Sequence, residues 1–300
     1  MQIVLQYNVN MIFNLYALLV FIFGLIIGSF LNVVIYRYNT GLPISRGRSR
    51  CFSCSRDLTT VDLVPVFSFL WFRGKCRTCK ARISWQYPLV ELMTAVLFTA
   101  IYMHNTLSPM WLIAVDMIIA SLFICIAVYD FRHKIIPDGL VYTAAVIAVI
   151  RLLLAFSTHL AIVPSTNIWT ALVAGPLIAL PFALLWLVSG GRWMGLGDAK
   201  LALPIGWMLG IAYGFTAIVY SFWIGTAVII LCMLFGEAIE AFSTKDNALK
   251  IQIFRGRFGA YLRRKFPSFG LRTEIPFGPF MIIGLYLVYF TAKCLFCLHF

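Results

Sequence analysis

"LALPIGWMLGIAYGFTAIVYSFWIGTAVIILCMLFG", residues 201–236, contains no charged side chain. A single helix over this run would be ~54 Å long at ~1.5 Å per residue. That is nearly twice the ~30 Å hydrocarbon core of a bilayer. The run therefore predicts two antiparallel spans joined by a tight hairpin near Tyr213-Gly214. The rest of the chain has the same character: 62% of residues are hydrophobic and only 12% are charged. Soluble domains carry about 25% charged residues.

Apolar runs of about 17–25 residues give eight predicted spans, at 12–36, 87–103, 110–129, 139–157, 168–189, 199–214, 216–236 and 275–296. The fold class is an all-α polytopic membrane protein with a small cysteine-bearing insertion after the first helix. The first apolar segment is too long for a signal-peptide core, and no small-residue cleavage site follows it, so it is expected to be retained. The expected organisation is a first span over 1–36, a knuckle-like loop over 37–86 and a seven-helix body over 87–300. A basic insertion interrupts that body at 237–274.

The formal net charge of +13 first suggests nucleic acid, but its distribution points elsewhere. With the N-terminus outside, loops 37–86, 130–138, 190–200 and 237–274 face the cytoplasm. They hold 22 of the 24 Lys and Arg residues. This positive-inside asymmetry fixes orientation, and no nucleic-acid partner is expected. The segment "FRGRFGAYLRRKF" (254–266) reads as an amphipathic interfacial stretch on anionic lipid.

Loop 37–86 contains "CFSC" (Cys51, Cys54) and "CRTC" (Cys76, Cys79). Two such knuckles can close a tetrahedral zinc site with four thiolate ligands. The loop is expected in a reducing compartment, which disfavours disulfides; redox pairs and reduced bystanders are the competing readings. Zinc would also help a ~50-residue loop to fold. Cys125 and Cys232 read as small hydrophobes within spans. Cys294 and Cys297 read as span packing, or as a disulfide on the oxidising side.

Acids within spans are costly and mark sites. The candidates are Glu91, Asp116, Asp130 and Asp198. Asp138, after Pro137, reads as a helix N-cap. Each candidate also has a plain structural reading. Asp198 after Gly195-Leu196-Gly197 can cap a helix, and Asp130 can be a loop acid paired with Arg132 or Lys134. Glu91 can be a buried acid bonded to Asn32 or Thr94, and Asp116 can pair with Arg151.

Topology separates these acids. The third span ends at Asp130 and the sixth begins at Asp198, so both lie at the cytoplasmic edge and can face each other. Asp116 is 14 residues from Asp130, ~21 Å along the helix, toward the outer face. Two facing aspartates that share a proton can activate water against an amide.

Six stretches resemble, in order, the bacterial type IV prepilin leader peptidases, membrane aspartic proteases of type IV pilus and type II secretion systems. They are "GSFLNVVIYR" (28–37), the cysteine loop, "YPLVELMTAVLF" (87–98), "YDFRHKIIPD" (129–138), "GLGDAKL" (195–201) and "IPFGPF" (275–280). The resemblance implies cleavage of a leader from prepilin or pseudopilin precursors after a glycine, at the cytoplasmic face of the bacterial inner membrane. It makes Asp130 and Asp198 the catalytic pair. It further implies N-methylation of the new N-terminus by S-adenosylmethionine, with Glu91 as a participant.

Three rivals remain. A presenilin-like or signal-peptide-peptidase-like protease shares the "YD…GxGD" pattern but lacks a counterpart of the cysteine loop. An ion-coupled transporter would want acids at mid-depth. A metal-dependent binding module would need no acid pair.

Overall fold

Gly210 divides the charge-free run. In the computed structural model the helical stretch Leu196–Lys245 is interrupted there by φ 75° and ψ −176°, a conformation that glycine adopts without steric cost. Eight residues of continuous helix would separate Gly206 from Gly214 by ~12 Å. A methyl group built on Gly214 would instead lie 3.6 Å from Gly206 Cα. The chain thus reverses into a hairpin, as the length of the run requires, with its turn at Gly210 rather than at Tyr213-Gly214.

The structure describes residues 2–41, 43–44, 47–157, 167–245 and 276–297, with side chains over 14–41, 43–44, 47–157, 167–231 and 276–292. Most of the basic insertion 237–274, together with the side chains of Cys232, Cys294 and Cys297, lies outside the described residues.

The helices, in chain order, are α1 (Gln2–Arg37), the short α2 (Phe67–Trp71), α3 (Gln86–His104), α4 (Met110–His133), α5 (Asp138–Ser157) and α6 (Ile168–Ser189). The hairpin arms α7 (196–209) and α8 (211–245) follow, and then α9 (Gly278–Cys297). Among the described residues the only extended pairing is two isolated bridges. Six described helices are long and apolar enough to cross a bilayer, with the α7–α8 run taken as one. Exposed Leu18, Phe23, Val146, Leu180 and Trp223 suit contact with lipid chains. The chain is a multi-pass helical membrane protein, as expected.

Spanning helices must satisfy their backbone internally. α6 contains Pro176, which has no N–H to offer the carbonyl of residue 172. Trp207 Nε1 of α7 donates to Leu172 O at 2.8 Å instead, which ties the proline turn to the hairpin.

α1 packs along α3, while α4 contacts α1, α3, α5 and α9, and α9 also lies on the hairpin. The main core, including Phe98, Phe123, Leu201, Ile205, Met281 and Leu285, fills the space between α3, α4, α7 and α9. Tyr38, just past α1, meets the Tyr129 ring of α4 edge-on at 5.5 Å. The end of α4 and the cysteine loop therefore share one end of the bundle, termed here the module end.

Candidate active site and metal centre

Asp130 lies in the last turn of α4, one turn before the helix stops at Lys134. Lys134 takes a left-handed conformation, and its N–H donates to Asp130 O at 2.7 Å. The chain then doubles back and buries Ile136. A methyl built on Gly197 would lie 2.9 Å from Ile136 Cβ, and one built on Gly278 3.4 Å from Ile136 Cδ1. Ile136 thus wedges between the start of α7 and the start of α9.

That wedge brings the two aspartates together. Gly278, the first residue of α9, donates its N–H to Asp130 Oδ2 at 3.1 Å. A side chain at position 278 would collide with this carboxyl, since its Cβ would stand 2.6 Å from Oδ2. Glycine is therefore needed here for close approach. Asp198 is the third residue of α7 and its N–H donates to Gly195 O at 3.3 Å. Asp130 is 3% exposed and Asp198 9% exposed, and Ile136 lies against both Gly278, beside Asp130, and Gly197, beside Asp198. Asp130 is therefore not a solvated loop acid. Asp198 lies inside its helix rather than at the N-cap. Nothing in the motif "IPFGPF" marks that its glycine amide faces an aspartate.

Glu91, buried on α3, takes neither expected partner. Asn32 donates to Gly28 O and Tyr87 O, and Thr94 to Val90 O. Glu91 Oε2 accepts the Val66 N–H at 2.7 Å. Val66 has φ 58°, unusual for a β-branched residue. Asp138 is also not an N-cap acid: it opens α5 and accepts from Lys200 Nζ at 2.8 Å. Asp116 and Arg151 do pair, far from the aspartate site.

The four cysteine sulfurs of loop 37–86 lie within 4.8 Å of one another, and Cys51 Sγ is 3.8 Å from Cys79 Sγ. A tetrahedron with ~2.3 Å metal–sulfur bonds has edges of ~3.8 Å, so the cluster could hold a metal ion. Each knuckle is built alike. Cys51 N–H donates to Arg56 O at 2.9 Å and Cys76 N–H to Ala81 O at 2.8 Å. The bridges Arg50–Asp57 and Lys75–Arg82 close the two loops. Amides of Cys79 and Thr78 pull the Cys76 thiol down to about 6. Amides of Cys54 and Ser53 likewise lower that of Cys51. Both effects favour the ligating thiolate.

Residues 22–105 match the Bacterial Peptidase A24 N-terminal domain, and residues 117–230 match the Type IV leader peptidase family. A prepilin leader peptidase/N-methyltransferase of Bacillus subtilis is 36% identical over 211 residues, covering 69% of this chain and 79% of the relative. One from Aeromonas hydrophila is 34% identical, covering 65% and 74%. One from Neisseria gonorrhoeae is 31% identical, covering 64% and 73%. No solved structure matches the chain. With two domain matches in sequence order and relatives covered over more than two thirds of their length, the chain belongs to the prepilin leader peptidase/N-methyltransferase family.

Proposed function

We propose that this protein is a membrane aspartic endopeptidase that removes the leader from type IV prepilin-like precursors and then methylates the new N-terminus, with Asp130 and Asp198 as its catalytic pair. The observation that carries the peptidase reading is the convergence of two buried aspartates, from α4 and α7, beside the Gly278 amide at one end of the bundle. One carboxylate takes a proton from water as the oxygen attacks the scissile carbonyl, and the protonated partner polarises that carbonyl. Collapse breaks the C–N bond, and a proton passes to the leaving amine. The pair titrates as a unit, so neither role is fixed to one residue.

The module end faces the cytoplasm on this reading, because the loops assigned to that side carry nearly all the Lys and Arg residues. The substrate is then itself a membrane helix with a cytoplasmic extension, cut at the membrane edge. The division into a first span, a knuckle module and a seven-helix body is part of the same proposal. Both acids lie within a turn of a helix end, which favours this reading over a mid-membrane protease.

The direct test incubates purified protein with a prepilin and S-adenosylmethionine, then weighs the product's N-terminus by mass spectrometry. Loss of the leader plus one methyl group is expected. An intact precursor would overturn the peptidase assignment, and a cleaved but unmethylated product the methyltransferase one.

The cysteine cluster is proposed to hold a structural zinc ion, whose binding energy stabilises a module too small for a core of its own. Ser in place of Cys51, Cys54, Cys76 or Cys79 should lower the metal content measured by elemental analysis. Full retention by all four variants would exclude the site.

A further inference from the structure

The short helix α2 carries three exposed apolar side chains, Phe67, Leu70 and Trp71. Their spacing, i, i+3 and i+4, puts them on one face. Phe67 and Trp71 stack with ring centroids 5.7 Å apart, and Trp71 is 71% exposed. The opposite face, Ser68, Phe69 and Phe72, turns inward and lines a cavity. We infer that the outward face is a lipid anchor: Phe67, Leu70, Trp71 and the nearby Trp85 lie in the headgroup layer of the leaflet at the module end. The inference rests on α3 spanning the membrane and on neither enzymatic reading.

Depth is the first argument. α3 has 19 residues, ~28 Å of helix at ~1.5 Å per residue. That is about the ~30 Å hydrocarbon core, so each end of α3 sits near a core boundary. Glu91 lies five residues past the first, ~7.5 Å along the helix, and its side chain leans back toward that end. The Val66 N–H, at the start of α2, donates to Glu91 Oε2 at 2.7 Å. α2 is therefore pinned at the level of the first turn of α3. The headgroup layer is only ~5–7 Å thick on each side, so α2 cannot stand clear of the membrane.

Continuity is the second argument. Leu89, Met93 and Val96 form an exposed apolar stripe on α3 at helical spacing, where a spanning helix meets lipid. Trp85 stands four residues before Leu89. It already has helical dihedrals, φ −62° and ψ −16°, and is 72% exposed. It thus heads the same stripe. The Phe69 ring of α2 meets Trp85 edge-on at 4.7 Å, so α2 packs against the head of a lipid-facing surface.

Composition is the third. Tryptophan concentrates at membrane interfaces, where its ring body is apolar and its N–H stays wet. Arg73 and Lys75 follow α2 directly and are exposed; such side chains run along apolar surface and reach lipid phosphates with their charged ends. In water, a cluster of exposed Phe, Leu and Trp would be an aggregation liability. In the interface it gives a module tethered at Arg37 and Gln86 a third hold.

The test uses the full chain in vesicles of phosphatidylethanolamine and phosphatidylglycerol. An environment-sensitive fluorescent amino acid replaces Trp71 or, separately, Phe67; both sites are exposed, so the fold should tolerate it. Nitroxides on the lipid headgroup or at the start of the acyl chain should quench either position strongly. A nitroxide at the end of the acyl chain should quench weakly, and so should aqueous iodide. Full quenching by iodide with none by lipid nitroxides overturns the inference. So does shielding that appears only once a prepilin is added, which would give the face to the substrate. A lipid carrying a diazirine at the start of its acyl chain tests the wild type without substitution. After trypsin, the label should appear on the peptide Asp57–Arg73, which contains all of α2. Label confined to the spanning helices overturns the inference.

Discussion

Asp198→Asn is expected to slow leader cleavage at least ~10³-fold, and Asp130→Asn to do the same. A positioned acid or base contributes ~10²–10⁴-fold to rate, and each aspartate of a proton-sharing pair is needed for both halves of the reaction. The replacement is isosteric, and at position 130 its oxygen still accepts the Gly278 N–H, now 3.1 Å away. Folding and membrane insertion should therefore be unaffected. Groups that act as a unit are not additive, so the double variant should be no slower than either single one. Single-turnover cleavage of a purified prepilin gives the rates directly. If either variant keeps more than about a tenth of the wild-type rate, the pair is not the catalytic centre. The same measurement across pH should give a bell-shaped profile, because both fully ionised and fully protonated pairs lack one of the two required forms.

How much of this arrangement was legible beforehand differs from part to part, for physical reasons. The number of spans is readable because lipid admits only long apolar helices, whereas their direction rests on loop charge alone. That reading alone placed residues 130 and 198 at one depth. The turn of the hairpin was misplaced because length demands a reversal without locating it; Gly210 and Gly214 are equally permissive, and packing chose between them. Glu91 reads as a candidate site acid, but its partner is a backbone amide 25 residues away. Nearly every residue carries such an amide, so no sequence signal marks it. Asp138 was read locally as a cap, whereas its partner Lys200 arrives from α7 through tertiary packing. The cysteine knuckles hold a signal that went unread. Cys51, Ser55 and Arg56 recur structurally as Cys76, Lys80 and Ala81, an internal repeat too short and too varied in sequence to notice without its backbone pattern.

The largest stability effect should come from a cluster that performs no chemistry. Asp116 of α4 and Arg151 of α5 are each 1% exposed and form an ion pair. Tyr289 of α9 donates its hydroxyl to Asp116 Oδ2 at 2.8 Å. Asn105, at the end of α3, donates to that same hydroxyl oxygen at 2.6 Å. Three helices thus meet on one carboxylate, and the end of α3 reaches it through the Tyr289 hydroxyl. Asp116→Ala would leave the Arg151 guanidinium buried without a counter-charge, and breaking a buried pair in this way costs about 3–5 kcal/mol. Replacing both partners by leucine removes the orphaned charge, so the double variant should recover most of that loss. Denaturant unfolding of the detergent-solubilised protein measures the cycle. An Asp116→Ala protein as stable as wild type would mean the pair holds nothing together. The cluster also bears on catalysis at a distance. Asp116 lies ~21 Å from Asp130 along α4, and Tyr289 lies ~16 Å from Gly278 along α9. Contact at both ends fixes how the antiparallel helices slide past one another, and that register sets the Gly278 amide against Asp130. The leucine pair, which keeps the packing but not the polar register mark, should therefore cleave more slowly than its stability alone predicts. Cleavage at the full wild-type rate in that variant would assign the register to apolar packing instead.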